Sequence, residues 1–346
     1  MNENNIALYR KYRPQSFKDV VGQEHVTNAL SASVESGKVS HAYLFSGTRG
    51  IGKTTIARIL AHELGVSEKD LYEIDAASNT GVDDIREIRD SVYTLPFESK
   101  YKVYLFDEAH MLSKSAFNAL LKTLEEPPAH VIFMLATTEP EKLPDTIISR
   151  CETYVLKQPS RVILRNHLVD VAKQEGREID APSAELIATL ADGSFRDALG
   201  TLQKVLSAVS ASSVKVADVE QVTGAPRSEL LNNLVSAIAK RDADSALMIV
   251  NTVVKDNLDL MVFMQLLLQR VRAILLIRVS PKMADELKEQ FSAEDFEFLS
   301  SLAKDKDAKI TSNILTRLLD AYASTKSSHI KYLPLELALV DLCNHE

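Results

Sequence analysis

Glycine is absent from the last third of this 346-residue chain: all 11 glycines lie at or before Gly224. A tail rich in tight, left-handed turns is thereby excluded. Cysteine is nearly absent too. The two that occur, Cys151 and Cys343, are far apart and lack metal-ligand spacing, which fits free thiols in a reducing compartment and leaves no zinc site. No uninterrupted apolar run is long enough to span a bilayer. The greasiest window, "LMVFMQLLLQRVRAILLIRV", is broken by Gln265, Gln269, Arg270, Arg272 and Arg278, so it is expected to be a core helix rather than a membrane span. The opening "MNENNIALYRKYRP" lacks the basic-then-apolar pattern of a signal peptide, and a cytoplasmic protein with no membrane partner is expected. Positive charge is in deficit, with 40 Lys and Arg against 48 Asp and Glu, a net charge of -8. Nucleic acid coating the whole surface is excluded; a local basic stripe is not.

What is present is ordinary globular composition, 45% hydrophobic and 25% charged. The length exceeds what one core usually organises and predicts two or three domains. In the first half, short apolar runs alternate with amphipathic ones, the pattern of a layered α/β domain. Strands are expected at "AYLF" from Ala42, "LYEID" from Leu71, "KVYLFD" from Lys102, "HVIFMLATT" from His130 and "TYVL" from Thr153. Helices are expected over Lys53 to Leu64, Val82 to Tyr93 and Lys114 to Leu124, the last with Phe117, Leu120, Leu121 and Leu124 as a core face. From about Ser160 the strands stop, and two or three short helices form a small intermediate domain. Beyond Pro226 the spacing of Leu230, Leu231, Leu234 and Ile238 predicts helix, interrupted only by Pro281 and Pro334. The expected division is 1–159, 160–225 and 226–346.

Chemistry concentrates in two stretches. "GTRGIGKT", Gly47 to Thr54, is a phosphate-binding loop: Gly47, Gly50 and Gly52 let backbone amides converge on an anion. With Ile51 and Thr55 it forms the nucleotide cradle, led in by an apolar strand and opening a helix N-terminus. Lys53 is positioned to neutralise the β and γ phosphates and the Thr54 hydroxyl to ligate Mg²⁺. The second stretch is "VYLFDEAHML", where a strand ends in Asp107 and Glu108. Asp107 is expected to hold Mg²⁺ and Glu108 to polarise the attacking water as general base. "DEAH" labels a helicase superfamily, but that class needs a second sheet-bearing domain, and no strands follow Gly224 here. His110 is left with a structural role.

Together with the stretches around them, these residues resemble the gamma/tau subunits of bacterial DNA polymerase III, the AAA+ ATPases of the sliding-clamp loader. The likeness is carried by "RKYRPQSFKDVVGQEHV", "HAYLFSGTRGIGKTTIAR", "EIDAASNTGVDDIREI", "KVYLFDEAHMLSKSAFNALLKTLEEPP", "LATTEPEKLPDTIISRC" and "GSFRDAL", spanning Arg10 to Leu199. It implies an α/β P-loop NTPase (AAA+) domain with a parallel sheet, then a helical lid, then an all-α collar. It further implies that Arg150 is an arginine finger for the neighbouring subunit's site. Arg196 would be the second sensor, and Thr138, with Thr137 as rival, the first. The segment Leu8 to Pro14 and the stretch Val20 to Gly22 would wall the adenine pocket, Tyr9, Arg10 and Val21 among them. A helix opening after "SNTG" would offer free amides, with Thr80 and Arg86, to a backbone phosphate of DNA.

The implied activity is ATP hydrolysis coupled to loading the clamp on primed DNA, with ATP and Mg²⁺ as cofactors. The implied partners are other loader subunits in a hetero-oligomer, expected as a pentamer, the sliding clamp and primer–template DNA. An ATP-binding scaffold without turnover and another AAA+ remodeller, such as a branch-migration motor, are the alternatives. The sequence departs from the family twice. The four-cysteine zinc module is replaced by "HELGVSEKD" between Ala61 and Leu71, and the chain stops at Glu346, as in a gamma-length or trimmed form.

Overall fold

The structure, a computed structural model, describes residues 6–78, 88, 90–288 and 290–344. Thr80, Arg86 and most of the helix expected over 82–93 lie outside the described residues. Two compact units are present, one of residues 1–164 and 191–200, the other of 165–190 and 201–346.

The first unit is built on a five-stranded parallel sheet. Its strands are β1 (Ala42–Ser46), β2 (Leu71–Asp75), β3 (Lys102–Asp107), β4 (Val131–Thr137) and β5 (Glu152–Val155), in the order β2-β3-β4-β1-β5. β1 and β4 are buried throughout, and β3 along all but its last residue. They read as continuous apolar runs because a central parallel strand is covered on both faces. The period-two alternation still shows in where side chains go. Tyr43, Phe45, Val103, Leu105, Ile132 and Met134 pack with Leu30, Ile56 and Leu60 on one face. Leu44, Tyr104, Phe106, Phe133 and Leu135 pack with Phe117, Leu120 and Leu124 on the other. Helix Lys53–Glu63 covers the first face and helix Lys114–Glu125 the second, the latter started by Ser113 Oγ accepting from Ala116 N at 3.1 Å. Leu121, expected in that core face, is only half-buried.

Strands do not stop after Ser160. Glu178–Ile179 pairs in parallel with Ser213–Val214, a ladder too short to leave a readable period in the sequence. Four helices, Arg161–Gln174, Ala181–Leu190, Phe195–Ala208 and Val216–Thr223, occupy the segment where two or three were expected.

From Ser228 onward the described residues form only helices. The turns that glycine would normally make are taken by Arg241 (φ 56°), at a cost of about 1–2 kcal/mol, and by Asn257 (φ 52°), a residue type that visits this region more readily. Arg241 ends helix Ser228–Lys240, and Asp242 then opens the next, accepting from Ser245 N at 3.1 Å. Pro281 begins a helix, and Pro334 is the second residue of another, where a missing N–H costs nothing. The long apolar window forms helix Leu260–Val279. It is the central core helix of the second unit, burying Phe263, Met264, Leu267, Val271 and Ile274.

Candidate active site

Because β3, β4 and β1 are neighbours and parallel, their carboxyl ends bring Asp107, Thr137 and Gly47 to one edge of the sheet. β1 ends at Ser46, and the chain must reverse into helix Lys53–Glu63 within six residues. Gly47 (φ 142°), Gly50 (φ 77°) and Gly52 (φ 106°) supply the backbone for it. Space demands glycine as well: a Cβ on Gly47 would lie 2.7 Å from Leu156 O, and one on Gly50 would collide with Ser194 Oγ.

Lys53 is the first residue of the helix and is buried, its Nζ donating to Gly47 O and Thr48 O, each at 2.9 Å. Burial pulls its ammonium below the ordinary lysine value, Glu108 and Asp107 push it back up, and Arg196 lowers it further. An arriving phosphate would restore the charged form that burial disfavours. Removing the amine deletes a charge-assisted contact worth ~1.5–3 kcal/mol. Lys53→Ala is therefore expected to weaken ATP binding roughly 10- to 100-fold in a nucleotide titration. Unchanged affinity would remove the phosphate-loop assignment.

The acidic residues lie where the loop needs them. Thr54 Oγ1 donates to Asp107 Oδ2 at 3.0 Å, and Asp107 Oδ1 accepts from Glu108 N at 3.1 Å. Glu108 itself is in the left-handed region (φ 49°, ψ 45°), a conformation costing of order 1–3 kcal/mol that persists only where surroundings enforce it. Its Oε2 accepts from Thr138 Oγ1 at 3.1 Å. Among the described residues no group of three or more His, Cys, Asp or Glu side chains could cage a metal. One hydroxyl and one carboxylate fit Mg²⁺ held jointly with phosphate oxygens and water. Beside these groups lies an open cavity of about 560 Å³, lined by Thr48, Glu108, His110 and Thr138 among others.

The other expected residues divide. Arg196 is exposed, but its backbone N donates to Gly50 O at 3.4 Å, so it stands at the loop. Arg150 does not line the cavity: its Nη1 donates to Thr146 O and its Nη2 to Glu125 Oε1, each at 2.6 Å. Ile51 is buried against Leu156, while Thr55 takes a hydrogen bond from Arg13 Nε at 3.1 Å. Tyr9 is half-buried under Arg10, whose guanidinium carbon is 5.8 Å from its ring centre, and Val21 is exposed.

Sequence reasoning gave Arg13 and Gln23 no individual role. Burial lowers the pKa of Arg13 and the positive charges of Arg58 and Arg196 lower it further, while Glu73 and Asp107 pull it back up. Gln23 is fully buried and brackets Lys157 through its backbone, accepting from N at 3.0 Å and donating to O at 2.6 Å. Neither pairing has a signal in local sequence, since the partners are 42 and 134 residues away.

Two family profiles match this chain. One, described as "DNA polymerase III, delta subunit", covers residues 22–80 and 66–160; the other, "DNA polymerase III subunits gamma and tau domain III", covers 214–346. The DNA polymerase III subunit gamma of Buchnera aphidicola subsp. Schizaphis graminum is 38% identical over 82% of this chain and 84% of its own length. The chain belongs to the DNA polymerase III gamma/tau family. It is also 38% identical to the DNA polymerase III subunit tau of Bacillus subtilis, across 97% of this chain but only 63% of that relative. Among solved structures, the Thermotoga maritima RuvB Holliday junction branch migration motor matches 66% of this chain and 80% of its own, with 25% identity and a TM-score of 0.53.

Proposed function

We propose that the chain is the ATPase motor subunit of the DNA polymerase III clamp loader, using ATP binding and hydrolysis to load the sliding clamp onto primed DNA. The observation that carries this reading is the unbroken series Thr54–Asp107–Glu108–Thr138, each joined to the next by a hydrogen bond at 3.0–3.1 Å beside a buried Lys53, in a chain of this family. Lys53 and the loop amides hold the triphosphate, and Thr54 and Asp107 are the residues that would hold Mg²⁺, which would shield the phosphate charge. Glu108 takes the proton of the attacking water. Thr138 and Arg196 sense the γ phosphate, and Tyr9, Arg10 and Val21 flank the adenine. No zinc takes part.

In the same reading the chain divides at 159/160 and 225/226 into nucleotide-binding, lid and collar domains. The separate domain III match, beginning at 214, supports a distinct C-terminal unit. The protein works in the cytoplasm within a pentameric hetero-oligomer, on the clamp and a primer–template junction, with Thr80 and Arg86 on the DNA backbone. The side chain of Arg150, 32% exposed, serves the neighbouring subunit's ATP. A guanidinium supplied in trans makes hydrolysis contingent on assembly.

Phosphate release by the reconstituted assembly tests this reading. It is expected to rise when primed DNA and the clamp are added together. In that assay Arg150→Ala is expected to lose turnover and to regain it on mixing with subunits that keep Arg150 but carry Lys53→Ala. Binding of ATP with no turnover would favour a scaffold subunit. Translocation on DNA that ignores the clamp would favour a branch-migration motor, to which the RuvB likeness of fold lends the only support.

A further inference from the structure

His110 closes the DEAH stretch and received no chemistry from the sequence, yet the structure places it between the acidic strand end and the end of β4. Its side chain is 8% exposed. Nδ1 lies 3.0 Å from Thr137 Oγ1 and Nε2 lies 3.2 Å from Glu139 Oε1, while Glu139 N donates to Thr137 Oγ1 at 3.1 Å. These contacts close a ring of polar groups. A carboxylate can only accept, so a neutral imidazole with its hydrogen on Nε2 turns it toward Glu139 and accepts from the Thr137 hydroxyl at Nδ1. Lys142 Nζ, 2.7 Å from Glu139 Oε2, holds the Glu139 carboxyl below the usual range and keeps it an acceptor.

We infer that His110 is the positioning residue for Glu108: by fixing the Thr137–Glu139 turn through this ring, it sets where the Thr138 hydroxyl stands and hence where the general-base carboxylate points. Thr137 Oγ1 meets His110 Nδ1 at 3.0 Å and the next hydroxyl along the chain, Thr138 Oγ1, donates to Glu108 Oε2 at 3.1 Å, so one short backbone segment at the end of β4 transmits the constraint. The Glu108 carboxylate is a third exposed and takes its hydrogen bond from Thr138 Oγ1, so where that hydroxyl stands decides where the carboxylate points. His110 Nδ1 is also 3.6 Å from Glu108 Oε2, too long for a hydrogen bond. The imidazole acts through Thr137 and Thr138.

The inference rests on Glu108 being the base, and the test separates the two. Phosphate release and nucleotide affinity are measured for the full chain in its assembly with primed DNA and clamp. His110→Ala and Thr137→Val are each expected to lower turnover on the order of 10- to 100-fold, the scale of a slightly misplaced catalytic group. Affinity is expected to stay within about twofold, a split that a merely structural histidine would not give. The double variant is expected to be no slower than the worse single one, since both break one ring. Wild-type turnover in His110→Ala, losses that multiply in the double variant, or a loss that tracks fallen affinity would each overturn the inference. Should His110→Ala fail to fold, Thr137→Val keeps the β-branched shape in β4 and decides alone, wild-type rates again overturning it. If Glu108→Gln turns over like the wild type, the reading of Glu108 as base falls first and this inference falls with it.

Discussion

Glu108→Gln is expected to bind ATP with near wild-type affinity and to cut phosphate release by roughly 100- to 10,000-fold, the usual contribution of a positioned general base. The amide keeps the size and shape of the side chain and can still accept from Thr138 Oγ1, so the loop, the Thr54–Asp107 contact and the left-handed turn at Glu108 are all retained. Only the capacity to take a proton is lost. The variant therefore isolates chemistry from binding, which Lys53→Ala does not. It also has a consequence for assembly: an oligomer carrying it is expected to accumulate with ATP bound and the clamp held. Single-turnover phosphate release against nucleotide titration checks the split. Turnover within a few-fold of wild type would remove Glu108 from the mechanism, and a parallel loss of affinity would mean that the substitution had disturbed the cradle instead.

How much of this site was legible beforehand depended on whether function was coded locally. Gly47 to Thr54 was readable because a phosphate cradle is made by consecutive backbone, so its spacing is a local constraint. Asp107 and Glu108 were readable because a strand buried on both faces announces its end where charge begins. The sheet order followed no local signal, yet it is what brings Asp107, Thr137 and Gly47 together. His110 was read only as structural for the same reason: its neighbours are reached only through the fold, Thr137 at the end of β4 and Glu139 two residues past it. The missing glycines predicted the helical tail correctly, but not that Arg241 and Asn257 would take the left-handed turns in glycine's place. The two-residue ladder of Glu178–Ile179 with Ser213–Val214 was invisible because two residues carry no period.

Arg270 decides a larger question about the tail, namely why a long apolar helix keeps a guanidinium in its core. Arg270 and Asp295 are 4% and 5% exposed, with Nη2 3.3 Å from Oδ2. The pair is served on all sides: Arg270 Nε donates to Asn232 Oδ1 at 3.1 Å, Nη2 to Ser228 Oγ at 3.0 Å, and Asn232 Nδ2 to Asp295 Oδ1 at 2.6 Å. Helices Ser228–Lys240, Leu260–Val279 and Ala293–Lys304 are thereby fixed in one register. Burial pulls the guanidinium below its ordinary value, and Asp295 and Glu220 pull it back. Breaking a buried pair strands a charge, so Asp295→Ala is expected to cost about 3–5 kcal/mol, whereas Arg270→Met with Asp295→Leu removes both charges and is expected to recover most of that loss. With two compact units a single unfolding midpoint is ill-defined, so the readout is native-state hydrogen exchange of the Leu260–Val279 amides. In Asp295→Ala those amides are expected to exchange roughly 100- to 5,000-fold faster, with the double variant returning towards wild type. If the single variant exchanges at the wild-type rate, the network does not hold these helices together. If the double variant is as fast as the single, the pair contributes net stability beyond what apolar packing can replace, and the guanidinium is kept for strength rather than for register.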